Sequence, residues 1–279
     1  MSPETMEALT PELILQLSCL TVLSAAGLRG VHRGRFAVLS FRRPVGPFES
    51  PLLSLPEMAL VFVSLFLAQI VVVPVLMPLQ GYLDGLFLSV ATFASHAVFF
   101  VFLCWFVRSI LGQPLAVLGL RRTSVFNLLP MALVYVFSFC PLQLVGAVWL
   151  LLLQSVGVEP ALQEPTEHFT EALSNGEQVT VGTLAFLAVV VAPLIEEILF
   201  RGVIFGGLAA RWGVWPAAVV SGLTFAAIHF SLTAFLPLFF LALILCYLYA
   251  RTGSLFTAIA FHALFNGVSL TFLAFGDSP

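Results

Sequence analysis

Within an otherwise lipid-soluble run, VVVAPLIEEILFRGVIFG (residues 189–206), stand two adjacent carboxylates and a guanidinium: Glu196, Glu197 and Arg201. An ionised acid at the bilayer centre costs roughly 2.5–3.5 kcal/mol on insertion scales, so these groups need partners or a use. Neighbours on a helix differ by about 100° around its axis, so the two acids cannot aim at one spot. Glu197 and Arg201 are four apart with the acid first, the favourable order for an ion pair on one helix face. Glu196 is five from Arg201 and is left to face a cavity. Later runs supply more polar groups at membrane depth: GLTFAAIHF aligns Phe225 with His229, and AIAFHALFNG aligns His262 with Asn266, each pair four apart. A carboxylate, two imidazoles and an amide form a hydrolytic set. Glu196 would take a proton from water as general base, tuned by burial and a neighbouring imidazole. His262 and Asn266 would donate to the resulting oxyanion, where losing one donor typically costs about 10²–10³ in rate. No Ser or Cys nucleophile is needed.

The remaining polar residues have plainer readings. His96 reads as a hydrogen-bonded contact between helices, a type worth about 0.6 kcal/mol on average. His32 and His168 fall in loops, and Glu57 and Asp84 lie at span ends, where a charge reaches the headgroups. Cys19, Cys104, Cys140 and Cys246 are scattered through apolar stretches without a C-x-x-C pair, which argues for core thiols over a disulfide or metal framework.

The elements that must position the polar set are membrane helices. Of the 279 residues 60% are hydrophobic and 9% charged, with 28 Phe and a mean hydropathy of +1.08, against about 25% charged in soluble domains. At about 20 apolar residues per span, the chain reads as an all-α polytopic bundle of about eight transmembrane helices around an intramembrane polar cavity. Polar breaks place the spans at about 10–28, 55–79, 85–107, 127–156, 180–201, 214–230, 234–250 and 255–275. Pro141 interrupts the fourth and predicts a kink or strong tilt. The sixth and seventh are short and form a hairpin that need not cross fully.

All eleven basic residues are Arg, and every one falls between spans on the same side. Arg29, Arg33, Arg35, Arg42 and Arg43 follow span one; Arg108, Arg121 and Arg122 follow span three; Arg201 and Arg211 follow span five; Arg251 follows span seven. The opposite loop 157–178 carries five Glu and no Arg. The positive-inside rule then puts both termini outside and the glutamates in the cytoplasmic half of span five. The segment 111–124 reads as an interfacial stretch on the cytoplasmic side. The first twelve residues hold three Glu and no Arg, which favours a retained first helix over a signal peptide. A net charge of −3 with no basic stripe excludes a nucleic-acid footprint. Without linkers or repeats the chain reads as one integral membrane domain, 1–279.

EEILFR (196–201), FAAIH (225–229) and HALFN (262–266) resemble, in order and spacing, the motifs EExxxR, FxxxH and Hxxx(N/D) of the CAAX protease and bacteriocin-processing (CPBP/Abi) family of glutamic intramembrane proteases. The similarity covers residues 110 to about 272, with an LGL-RR stretch ahead of span four. It implies a family-like core over 110–275 and variable N-terminal helices over 1–109. It also implies a metal-independent endopeptidase without cofactor, in which Glu196 and His229 activate water, His262 and Asn266 form the oxyanion site, and Glu197, Arg201 and Phe225 support them. The partners expected are the lipid bilayer, in a bacterial inner membrane, and a membrane-anchored or hydrophobic peptide. Substrate and oligomeric state do not follow from the motifs. Two other readings compete. A zinc intramembrane protease lacks its H-E-x-x-H motif here. A non-catalytic peptide-binding or bacteriocin-immunity protein would use the same cavity without cutting. A transporter finds no inverted-repeat signature in the outer loops.

Overall fold

The computed structural model describes residues 11–32, 53–121 and 124–275. These form nine helices and, among the described residues, no strand: α1 Pro11–His32, α2 Leu55–Leu83, α3 Phe87–Ile110, α4 Val125–Ser155, α5 Glu164–Ser174, α6 Gln178–Trp212, α7 Val214–Ala227, α8 Leu232–Thr252 and α9 Leu255–Phe275. Six of them, α2, α3, α4, α6, α8 and α9, are long and apolar enough to cross a membrane. The molecule is an integral membrane helix bundle. Eight helices stand at the eight expected spans, and α7 is the short one at 14 residues.

The helices begin and end where local chemistry allows. Ser54 caps α2 in a reciprocal box with Glu57, satisfying amides that the first turn leaves free. Ser231 accepts the Ala234 amide to start α8, and Gly253, at φ +65°, ends that helix in a left-handed conformation that costs glycine nothing. α4 continues through Pro141. The ninth helix, α5, lies in a segment expected to be a loop. Pro165 opens it, Glu164 and Glu167 sit in its first turn, and Phe169 and Ala172, three apart, are its buried face, so an amphipathic surface helix packs there.

The ends of the bundle are tied by named contacts. At one end Leu255 donates its amide to the Gly119 carbonyl, Ser254 its hydroxyl to the Arg121 carbonyl, and Arg211 its guanidinium to the Leu53 and Gly207 carbonyls. This fixes segment 111–121 beneath α6 and the α8–α9 turn. At the other end the Trp149 indole donates to the Leu232 carbonyl and the Thr233 hydroxyl to the Ala161 carbonyl.

At the centre runs α6, 35 residues long and so roughly 50 Å against a hydrocarbon core of about 30 Å. All residues from Glu197 to Phe205 are buried. α2, α7, α8 and α9 pack around it, while α1 packs on α4. The greater length of α6 corrects one expectation. Arg201 is not a loop residue at a span end but lies within the helix at 0% exposure, and Glu196 stands near the middle of the helix. Of the other arginines, Arg33, Arg35, Arg42, Arg43 and Arg122 lie outside the described residues, as do residues 1–10. The cysteines also differ from expectation: only Cys246 is buried, Cys104 and Cys140 are half-buried, and Cys19 is exposed.

Candidate functional site

Helix α6 does not wind uniformly where it carries the acids. Residues Leu187–Val191 and Ile198–Phe205 adopt the wider π-helix, bracketing one α-helical turn, Ala192–Glu197. π-turns inside α-helices recur at functional sites, and here they set the angles at which Glu196, Glu197 and Arg201 leave the axis. The Phe200 carbonyl within the second π-stretch accepts the buried Ser221 hydroxyl at 3.0 Å, which locks α7 to it.

The expected pair is present: Arg201 Nη1 donates to Glu197 Oε1 at 3.0 Å, with both side chains at 0% exposure. The same Oε1 lies 2.8 Å from His262 Nδ1. Oε1 already accepts from the guanidinium, so Nδ1–H donates to the same oxygen and the ring is pinned with Nε2 on its far side. That Nε2 stands 3.9 Å from Glu196 Oε2, whose side chain keeps 17% exposure. At 3.9 Å the two do not bond directly, and the separation is one that a water bonded to both at about 2.8 Å would span at nearly a right angle.

Phe225 is the apolar hub. Arg201 Cζ sits 4.5 Å over its ring, a cation–π geometry. Its ring is 4.7 Å from His229 and 5.9 Å, edge to face, from His262. This matters because Arg201 Nε and Nη2 and Glu197 Oε2 make no hydrogen bond among the described residues, so the aromatic face carries part of the stabilisation of the buried cation. His229 is aimed by its own helix: Nδ1 donates to the Phe225 carbonyl at 2.7 Å, leaving Nε2 for other work. Asn266 Nδ2 donates to the Ala188 carbonyl, in the first π-turn, at 2.7 Å.

Of the seven residues singled out in the sequence, six are linked by contacts, Glu196, Glu197 and Arg201 from α6, Phe225 and His229 from α7 and the turn after it, and His262 from α9, while Asn266 meets α6 at the Ala188 carbonyl; the partners are not the expected ones. His262 rather than His229 is the imidazole facing Glu196, and one Asn266 proton is already engaged. Glu197 is more than Arg201's counter-ion, because it also orients His262. His96, expected to bridge helices, instead donates Nδ1 to Thr92 of its own helix at 2.7 Å. His168 lies on α5 with Glu164 and Glu171 4.0 Å away. Sequence reasoning missed Ser221 and the Ala188 carbonyl, for which no spacing gives a signal. Among the described residues no three His, Cys, Asp or Glu side chains are grouped to hold a metal ion.

The stretch of chain that carries this cluster is similar to known proteins. Residues 179–268, which contain all seven site residues, match the family model described as type II CAAX prenyl endopeptidase Rce1-like. The segment is Rce1-like. This bears out the resemblance carried by the three motifs. A Bacillus subtilis (strain 168) protein named "Putative membrane peptidase YdiL" is 30% identical over 86 residues, 31% of this chain and 35% of that protein, so the match spans about a third of that relative. An Escherichia coli protein named "Uncharacterized 24.3 kDa protein" is 28% identical over 194 residues, 60% of this chain and 89% of that protein. No solved structure matches the chain. The Rce1-like segment begins one residue into α6 and ends within α9, so it covers the helices that form the site and leaves out α1 to α5.

Proposed function

We propose that this protein is an intramembrane endopeptidase of the glutamic type, which hydrolyses a peptide bond near the terminus or membrane anchor of a membrane-associated protein. The observation that carries the reading is the Glu196–His262–Glu197–Arg201 chain, an orientated imidazole facing a half-open carboxylate inside the most buried helix of an Rce1-like segment. Glu196 removes a proton from a water held beside it, and His229, with Nδ1 engaged by the Phe225 carbonyl, helps to place that water through Nε2. The water oxygen adds to the scissile carbonyl carbon, whose oxygen becomes an oxyanion. In the form that donates from both nitrogens, His262 gives Nδ1–H to Glu197 and Nε2–H to this oxyanion. Asn266 adds the second amide proton left free by Ala188. When the tetrahedral intermediate collapses, the C–N bond breaks and Glu196 returns its proton to the leaving nitrogen. The products are a carboxylate and an amine, and no metal or cofactor takes part.

The core that does this is residues 110–275, in a bacterial inner membrane, with the termini outside and the cavity opening toward the cytoplasmic half. The arginine-rich end of the bundle supports that orientation: Arg211 and the segment carrying Arg121 gather there. The test compares the protein termini of membranes from cells expressing the wild type with those from cells expressing Glu196→Gln. A terminus present only with the wild type supports the reading and names the substrate. Identical termini in both contradict it and favour the non-catalytic binding protein.

A further inference from the structure

Away from the glutamates, where α5 packs on the start of α6 and that start meets the turn before α3, lies a cavity of about 170 Å³. A buried water needs only about 10–15 Å³, so an organic group has room there. The walls combine hydrogen-bond acceptors with hydrocarbon. His168 and Glu171 of α5 stand 4.0 Å apart on the half-open rim, and Leu88 of α3 and Leu184 of α6 line an apolar side. Thr180 of α6 lines the cavity at 8% exposure, and its hydroxyl makes no hydrogen bond among the described residues. A buried hydroxyl normally has a partner. The nearby Thr183 hydroxyl has two, the Ser89 hydroxyl and the Thr180 carbonyl.

Gly85 completes the cavity. It is not among the glycines of positive φ, so its backbone conformation is open to any residue, and a glycine inside a helical turn costs stability against alanine. What the missing side chain leaves is a cradle: a Cβ there would stand 2.7 Å from Glu177 Oε2 and 3.1 Å from Thr180 Oγ1. Asn175 donates to Glu177 Oε1 at 3.3 Å, which holds the other carboxylate oxygen toward that point. Ionised carboxylates only accept, and no arginine among the described residues lines the cavity, so the occupant is a cationic donor. The described residues group no three side chains to hold a metal ion, and the two leucines suit a carbon stem. We propose that this cavity binds a primary ammonium on a short alkyl stem, whose N–H groups donate to Glu177 Oε2 and Thr180 Oγ1 while the stem lies on Leu88 and Leu184. Two sources carry that group, a free alkylamine and the ethanolamine headgroup of a phospholipid. The site is independent of the peptidase reading.

The experiment uses the full chain in phosphatidylcholine nanodiscs, with propylammonium as the probe and saturation-transfer NMR as the readout. The wild type should bind the probe saturably. Tetramethylammonium, which has the same charge and no N–H, should bind about tenfold more weakly. Glu177→Gln and Thr180→Val should each raise Kd about tenfold, and Gly85→Ala, whose methyl fills the cradle, should abolish binding. Thermal unfolding of the three variants checks that the fold is kept. Nanodiscs containing phosphatidylethanolamine distinguish the sources: weaker probe binding there assigns the site to the lipid headgroup, and equal binding assigns it to a free amine. The proposal is overturned by no saturable binding in phosphatidylcholine, by equal binding of tetramethylammonium, or by an unchanged Kd in both Glu177→Gln and Thr180→Val.

Discussion

Replacing Arg201 by methionine keeps an unbranched apolar stem in the core while deleting the charge. It strands Glu197, at 0% exposure, with His262 Nδ1 as its remaining hydrogen-bond donor, and removes the cation stacked 4.5 Å over Phe225. Breaking a buried pair from one side costs about 3–5 kcal/mol, since the surviving charge stays desolvated. At about 2–4 °C per kcal/mol for a chain of this class, Arg201→Met should lower Tm by about 6–20 °C. Glu197→Gln, which strands the cation instead, should cost a similar amount. The double variant buries no uncompensated charge and should be more stable than the sum of the two losses implies, with a coupling of at least about 2 kcal/mol. The assay is thermal unfolding in lipid nanodiscs, read by tryptophan fluorescence for all four proteins under one buffer and lipid composition. Strictly additive losses, or an Arg201→Met drop below about 2–4 °C, the equivalent of 1 kcal/mol, would refute the reasoning that a desolvated ion pair anchors this site.

Further outcomes follow from the same geometry. Glu196→Gln should abolish general-base chemistry, lowering cleavage of a reporter peptide by about 10²–10⁴, while unfolding shifts by less than about 0.5 kcal/mol because this side chain is half-open and makes no structural pair. Asn266→Leu removes the donor to the Ala188 carbonyl in the first π-turn; it should cost about 1–3 kcal/mol in unfolding and about 10²–10³ in cleavage rate. Gly202→Ala places a Cβ 2.7 Å from the Leu118 carbonyl oxygen, which is held in a segment bonded to the α8–α9 turn. It should lose about 1–3 kcal/mol by calorimetry even though the new methyl is small.

Which parts of this were legible in the sequence depends on the range of the interactions. Helix positions were legible because about 20 apolar residues between polar breaks have few alternatives in lipid. Glu197 and Arg201 were legible as a pair because both lie within one turn of one helix. The span of α6 was underestimated: its arginine looked like a loop residue, whereas a buried glutamate and an aromatic ring keep it inside the helix. His262 and Asn266 share a helix face as expected, but their partners, Glu197 and the Ala188 carbonyl, come from 65 and 78 residues away. Spacing on one helix cannot encode which neighbour that helix packs against. The π-turns were equally hidden: α7 and α9 pack against them, and no residue pattern in 187–205 marks them. α5 was hidden in another way: five glutamates signalled an outer loop, and its short apolar face, Phe169 and Ala172, was too brief to register as periodicity.

The central claim is that Glu196 activates water for peptide hydrolysis without a metal. It is tested most directly by incubating purified protein, after exhaustive chelation, with a membrane-anchored peptide in proteoliposomes and identifying the products by mass spectrometry. Two fragments whose masses sum to the peptide plus one water, formed by the wild type and not by a folded Glu196→Gln variant, are the predicted result. Undiminished cleavage by Glu196→Gln, or activity that disappears on chelation and returns with zinc, would contradict the account.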